Sequence, residues 1–217
     1  MKRLLSAFGR VRPRLPIARL LLGTALLGLA GCQIIPDPAP DATRFYVLTG
    51  PLPAQAASVT LGPLSFGLKA VSVAPYLRSR SMPLRTDEHE ITYNDYARWA
   101  EPLDQGISRI LQGRLLLAPA VGRVYAHPFP FDRPRDFDIA VSIVRCESVR
   151  EGRSLVARLA ALIEITRVSD GTVLTRRVFA APDIPWDGRD HAALAAALST
   201  SVDRLASEVI AQLPAGP

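Results

Sequence analysis

Few residues of this 217-residue chain are of types and spacings that do chemistry. The histidines are His89, His127 and His191. A metal site needs ligands that converge, as in HExxH or paired cysteines, and neither pattern occurs. Asp87-Glu88-His89-Glu90 reads as a solvated turn between strands, or as a weak cation site. Residues 62–67, GPLSFG, come nearest to the GxSxG elbow that exposes a nucleophilic serine, but the spacing is wrong. No GxGxxG or Walker loop occurs. A triad assembled from distant residues leaves no local signature, so a hydrolase is unsupported by any motif yet open to a spatial test. The densest group is residues 93–103, YNDYARWAEPL, with two tyrosines, a tryptophan, an arginine and the carboxylates of Asp95 and Glu101. Such a group marks either an active site or the structural start of a helix.

The remaining reactive type is cysteine, at positions 32 and 146. Cys32 ends the run Leu29-Ala30-Gly31-Cys32. Before it lie the apolar residues 20–30, LLLGTALLGLA, and a basic segment with Lys2, Arg3, Arg10, Arg12, Arg14 and Arg19. A basic segment followed by a short apolar run is the plan of a secretory leader, and the run is shorter than the roughly 20 residues a membrane-spanning helix needs. The LAGC end resembles the bacterial lipobox. That resemblance implies cleavage by signal peptidase II between Gly31 and Cys32, a diacylglyceryl group on the Cys32 sulfur and a third acyl chain on its amine. The covalent acyl groups are the only non-protein component expected; no cofactor and no metal are. Each buried methylene contributes roughly 0.8 kcal/mol, so chains in this number anchor stably. Gln33, where aspartate would favour inner-membrane retention, points by the same resemblance to the outer membrane, facing the periplasm of a Gram-negative bacterium.

Removing residues 1–31 changes the electrostatics. The formal charge of +6 belongs to the leader: taking its six basic residues from 26 leaves 20, equal to the 20 acidic ones. A neutral remainder lacks the basic surplus that nucleic-acid binding uses, which excludes that class of partner. Cys32 would be acylated, leaving Cys146 without an intramolecular partner. Its setting, VSIVRCESV, is an apolar strand, which favours a buried, inert thiol.

The elements that must position these residues follow from periodicity. Residues 33–42, QIIPDPAPDA, read as a tether. Short strands are expected at 44–49, 58–64 and 69–73, broken at Gly62-Pro63 and Gly67, and a hairpin joins 82–86 to 90–93 across Asp87-Glu88-His89. Leu103, Ile107, Ile110 and Leu111 fall on helical spacing up to Leu117, with Pro102 in the first turn, Glu101 and Asp104 at the positive end of the dipole, and Pro119 closing the helix. Phe137, Ile139, Val141 and Ile143, then Leu155 to Ile165, alternate as strands joined at Arg150-Glu151-Gly152-Arg153. A two-residue turn at Asp170-Gly171 would set Glu164 opposite Arg177 and Ile163 opposite Val178. Leu194, Leu198, Val202, Leu205, Val209 and Leu213 form the stripe of a last helix capped by Asp187 or Asp190. His127-Pro128-Phe129-Pro130-Phe131 is either an interaction loop or a stiff crossover capping the core. The fold class is α+β: an antiparallel β-sheet with two main helices packed on one face, preceded by a lipoprotein signal peptide and a short tether.

With these pieces in place the chain resembles the ABC-type transport auxiliary lipoproteins, the PqiC-like family. Arg44-Phe45-Tyr46-Val47-Leu48 matches its RYYxL strand, Val59-Thr60-Leu61-Gly62-Pro63-Leu64 its V-x-V-G-P-V strand, and Pro75-Tyr76-Leu77 its P-x-YL segment. The short strand ending at Arg85 matches the next element, and Trp99-Ala100-Glu101-Pro102-Leu103 is the WAEPL helix start. The resemblance covers residues 43–213, so the organisation expected is leader 1–31, acylated cysteine and tether 32–42, and auxiliary lipoprotein domain 43–213. Residues 65–74, SFGLKAVSVA, depart from the family by lengthening the link to P-x-YL.

The resemblance implies a non-catalytic, lipid-anchored periplasmic subunit of an ABC- or MCE-type intermembrane system that moves lipids or other hydrophobic molecules and supports envelope integrity. It implies an inner-membrane permease and ATPase and an MCE-type periplasmic protein as partners, and in some members a ring of identical subunits. Trp99, Glu101, Pro102 and Leu103 then serve either to seat the helix or to bind a partner. Two other readings stand beside it: an outer-membrane assembly or structural lipoprotein, and a periplasmic hydrolase with a site formed in three dimensions.

Overall fold

The computed structural model describes residues 40–50, 61–130 and 133–214. Contacts divide the chain into Met1–Asp41 and Ala42–Pro217. The leader, Gly31 and Cys32 fall in the first unit, outside the described residues; the first part of the strand expected at 58–64 belongs to the second unit and is also outside them. The second unit carries the fold.

Its spine is a long hairpin. β7 (Phe137–Glu151) and β8 (Ser154–Arg167) pair antiparallel along their whole length, joined at Gly152, whose φ of +60° suits the tight turn. Along the other edge of β7 three strands dock in sequence, all parallel to it: β2 (Leu64–Leu68), β3 (Ser72–Val73) and β4 (Ser81–Arg85). β4 forms the expected hairpin with β5 (Ile91–Trp99), and β1 (Arg44–Tyr46) lies parallel on β5. β6 (Val121–Ala126) lies parallel on β2. On the far side of β8 sit β9 (Val173–Ala180) and β10 (Ile184–Trp186), both antiparallel. The α+β class is as expected, and the sheet is mixed: the antiparallel section is the one read from β7 to β9, and the parallel ladders come from the short N-terminal strands.

Two helices, α1 (Leu103–Leu115) and α2 (His191–Ala211), supply the apolar stripes that cover the sheet. Leu103, Ile107, Ile110, Leu111 and Leu115 of α1 are buried with Leu194, Leu198, Val202, Leu205 and Val209 of α2. They share one core with Ile139, Val141 and Ile143 of β7 and Leu159, Ala161, Ile163 and Ile165 of β8. Complete burial of a side chain of this size contributes about 1.5–3 kcal/mol. Asp190 is the cap of α2, its Oδ1 accepting from Ala192 N at 2.8 Å and Ala193 N at 3.2 Å; Asp187 instead accepts from Arg189 N and Asp190 N in the preceding turn.

Two sequence expectations need correction. Gly67 does not break a strand; it lies inside β2, because a Cβ there would meet Asp138 Oδ1 at 2.6 Å and Arg135 Nε at 2.7 Å. Arg135 lies over the glycine, stacked 4.1 Å from the centroid of the Phe129 ring and paired with Asp138, so the 127–130 loop folds onto the sheet through this stack. Phe131 lies outside the described residues. The second correction concerns register. The turn is longer than two residues, with Arg167 N donating to Thr172 O and Gly171 N to Arg167 O, and a bulge follows it. Glu164 therefore faces Arg176, Ile163 faces Arg177, and Val178 lies opposite Leu162 and is 72% exposed. A one-residue slip exchanges the two faces of a strand.

Candidate functional site

The Tyr93–Leu103 stretch divides into a bulge and a helix seat. Register with β4 passes from Pro83 opposite Tyr93 to Ser81 opposite Arg98, so β5 holds surplus residues between them. Asn94 Oδ1 closes this bulge by accepting from Tyr96 N and Ala97 N, both at 2.8 Å. Tyr93 donates its hydroxyl to Tyr76 O at 2.9 Å. Trp99 is 2% exposed, its ring in the core and its Nε1 without a hydrogen-bond partner. The backbone around it is fully used: Trp99 N donates to Arg80 O and Ala100 N to Tyr46 O, each at 2.7 Å. Pro102 is the residue that caps α1, with ψ 137°, rather than its first helical residue, and Leu103 is buried. Glu101 reaches not a backbone amide but Arg109, which also donates to Leu48 O at 2.9 Å. The motif therefore ties β1, β5 and α1 together, and a folded chain presents no Trp99 surface to a partner.

His191 shares a pocket with a serine. A pocket of about 150 Å³ under α2 is lined by Met82, Asn94, Ser148, Trp186 and His191. A hydrolytic triad needs a hydrogen bond from serine to histidine. Here Ser148 donates to Pro83 O at 2.9 Å, and His191 Nε2 accepts from Asn94 Nδ2 at 3.3 Å. That bond leaves Nδ1 as the protonated nitrogen, donating to Arg189 O at 3.1 Å. The two groups share a cavity without the contact that chemistry requires. His89 is exposed beside Glu88 in the β4–β5 turn, and His127 sets its ring edge to Phe129. Among the described residues no three or more His, Cys, Asp or Glu side chains are grouped to hold a metal ion.

Sequence reasoning missed the charged group on the opposite face of the sheet. Glu147 is fully buried on β7; its Oε1 accepts from Arg85 Nε at 2.7 Å and its Oε2 has no hydrogen-bond partner. Arg85 stands 5.5 Å over the Tyr76 ring, and Tyr76 donates to Val144 O at 3.1 Å. Burial, with the Glu147 charge behind it, pushes the Tyr76 hydroxyl up to about 12. The Glu147 hydrogen bond holds the Arg85 guanidinium above its ordinary range. Beside this group opens a cleft of about 580 Å³ bordered by Arg85, Arg145, Arg150 and Arg158. Arg158 is committed to Glu151 and Asp183. A bulge that interrupts register between Ile143 and Arg145 places Glu147 on this face, and no local pattern announces it. Cys146, next to it, faces the core; burial and then the Glu147 charge push its thiol up to about 12.

Residues 46–210 match the sequence pattern of the family described as ABC-type transport auxiliary lipoprotein component. The chain belongs to this family. Membership makes it a bacterial envelope-associated lipoprotein component that assists ABC-type transport, a role in which partner transporter components are implied. Solved structures of similar fold include protein XCC0632 from Xanthomonas campestris, 20% identical, with a TM-score of 0.64 over 77% of this chain and 92% of that one. A second structure, of an uncharacterized protein, is 15% identical with a TM-score of 0.62 over 79% of this chain and 99% of that one. A PelC dodecamer from Paraburkholderia phytofirmans is 12% identical at a TM-score of 0.45 over 74% of this chain and 96% of that one. The first two likenesses show the fold alone. The search of curated proteins returned no match. Relative to the family pattern, the lengthened 65–74 segment is accounted for here: it forms most of β2 and all of β3, laid parallel along β7.

Proposed function

We propose that this auxiliary lipoprotein is a non-catalytic, acyl-anchored subunit standing at the periplasmic face of the outer membrane, where it supports an ABC- or MCE-type system moving lipids or other hydrophobic molecules. The observation that carries this reading is a lipobox cysteine, Cys32, placed directly before a domain of the auxiliary lipoprotein family. Two or more acyl chains on Cys32 hold the domain at the bilayer, and ATP is hydrolysed by another subunit. The engaged state of Ser148 and His191 supports a role in position rather than in catalysis.

The test is cross-linking in intact cells, with the chain tagged at its C-terminus and its partners identified by mass spectrometry, alongside a Cys32→Ser control. Recovery of an MCE-type or ABC transport subunit, reduced in the control, is expected. Recovery of outer-membrane assembly or cell-wall proteins alone would overturn the reading in favour of a structural lipoprotein.

A further inference from the structure

The corner where β1 lies on β5 combines exposed apolar side chains with arginines that form no ion pair with a described residue. β1 pairs Arg44 with Ala97, Phe45 with Arg98 and Tyr46 with Trp99. Tyr46 packs against the core and Trp99 is buried within it, so strand alternation turns Phe45 and Arg98 outward together. Phe45 is 60% exposed, Val47 is 45% exposed, and Tyr96, in the adjoining bulge, is 61% exposed. One such side chain is ordinary on a surface, whereas three within a few residues of register form a patch. Arg98 also pairs with Ser81, and Arg80 O accepts from Trp99 N, which brings Arg80 to the same corner. Arg44, Arg80 and Arg98 are exposed, and none forms an ion pair with a described residue; Arg98 Nε donates to the Asp95 carbonyl at 3.3 Å, which holds its head beside the bulge. Asp95, in the bulge, offsets one of the three.

We propose that this corner is a lipid-contacting surface that lies on the anionic headgroup layer of the membrane holding the Cys32 acyl chains. The proposal rests on the anchoring read above and names the face of the domain that meets the bilayer. Arg44 follows Cys32 by twelve residues, so the corner is held within about 40 Å of the acylated position at full extension, and about 20 Å for a flexible chain. It is the place where the chain enters the folded unit, hence the part of the domain with the shortest covalent path to the anchor. An arginine near an anionic surface strengthens binding about five-fold. Rings with one apolar and one polar side settle at headgroup depth, which suits Tyr96, while Phe45 and Val47 reach the apolar boundary.

The test uses residues 42–217, which contain the whole buried core from Leu48 to Val209 and lack both the leader and Cys32. The fragment is floated with phosphatidylethanolamine vesicles made with or without phosphatidylglycerol. Binding is expected only with phosphatidylglycerol and fades with salt, as the screening length falls from about 10 Å at 0.1 M to about 3 Å at 1 M. Arg44→Gln, Arg80→Gln and Arg98→Gln together should weaken it about a hundred-fold. Phe45→Ser with Tyr96→Ser should weaken it with every charge kept. Arg150→Gln with Arg153→Gln, at the β7–β8 hairpin beyond the other end of β4, should leave it unchanged; near-ultraviolet circular dichroism checks each fold. Failure of the fragment to bind, or an equal loss in the Arg150 and Arg153 control, overturns the surface. Labelled palmitate on Cys32 in cells is read separately. A labelled chain whose fragment ignores vesicles refutes this surface and spares the anchor; an unlabelled chain whose fragment binds spares the surface and refutes the anchor.

Discussion

Replacing Arg85 by methionine isolates the energetics of the Arg85–Glu147 pair. Glu147 is the one charged side chain sealed from solvent among the described residues, while Arg85 retains 14% exposure. At 2.7 Å the Coulomb attraction is about 6 kcal/mol for an effective dielectric constant of 20. Desolvation costs several kcal/mol for each ion, so the intact pair contributes little net stability. Removing the guanidinium is different, because Oε2 already lacks a partner and Oε1 then loses its own. The expected cost of Arg85→Met is about 3–5 kcal/mol, a large part of the total stability of a typical domain. Glu147→Leu should cost less, since the freed Arg85 can turn its head to water. The double variant, Arg85→Met with Glu147→Leu, should recover most of the loss, giving a coupling of at least about 2 kcal/mol. Urea unfolding of residues 42–217 at neutral pH measures all four chains, with equal m-values as the check that compactness is unchanged. A cost below about 1 kcal/mol for Arg85→Met, or a double variant no better than the sum of the singles, would refute the argument. If Arg85→Met is unfolded without urea, recovery in the double variant decides.

Other perturbations separate roles that look alike in sequence. With its folded pKa pushed up to about 12 from an ordinary 9, the Cys146 thiol favours folding below pH 9, and that contribution is lost as pH rises toward 12. Ellman's reagent at pH 8 should therefore label native 42–217 only as fast as it unfolds; prompt labelling would contradict the burial. Trp99→Ala should cost about 3–5 kcal/mol in denaturant unfolding, and Glu101→Ala, whose partner Arg109 is half exposed, less than about 1 kcal/mol; comparable losses would mean that the motif does not work as a buried anchor with a surface brace. Asp190→Ala should cost about 1 kcal/mol through two lost N–H contacts and lower the melting temperature, with no change expected for the exposed Glu88→Ala.

How much of this was legible depends on whether the signal is local. Both helices were, because their stripes repeat at 3.6 residues and nothing else in the chain does so for as long. The β7–β8 hairpin was, because alternation over many residues fixes which side faces the core. The β8–β9 pairing was read one residue out of register, since a turn dipeptide indicates that a hairpin exists while the hydrogen bonds of the turn decide its length, and Arg167 to Thr172 made it longer. The parallel docking of β2, β3 and β4 along one edge of β7 had no sequence signature at all: strands this short carry little periodicity, and their order is chosen by tertiary packing. Gly67 illustrates the difference. Its lack of a side chain was read as a break, when it marks a close approach by Arg135, a residue far along the chain.

The same division governs function. Once the chain folds, Ser148 is committed to a carbonyl, His191 to an amide, Glu101 to Arg109 and Cys146 to the core. A catalytic group must be free to exchange a proton or attack a substrate, and these are bound to the scaffold. The exposed groups at the β1–β5 corner are of another kind, arginines without ion pairs to described residues and aromatic rings, which act by contact and need no reaction. For a family member proposed to stand at a membrane beside a transporter, this partition follows physically: hydrogen bonds spent on holding β1, β5 and α1 in fixed relation make a rigid platform, and the proposed lipid-contacting corner would do its binding by contact from that platform.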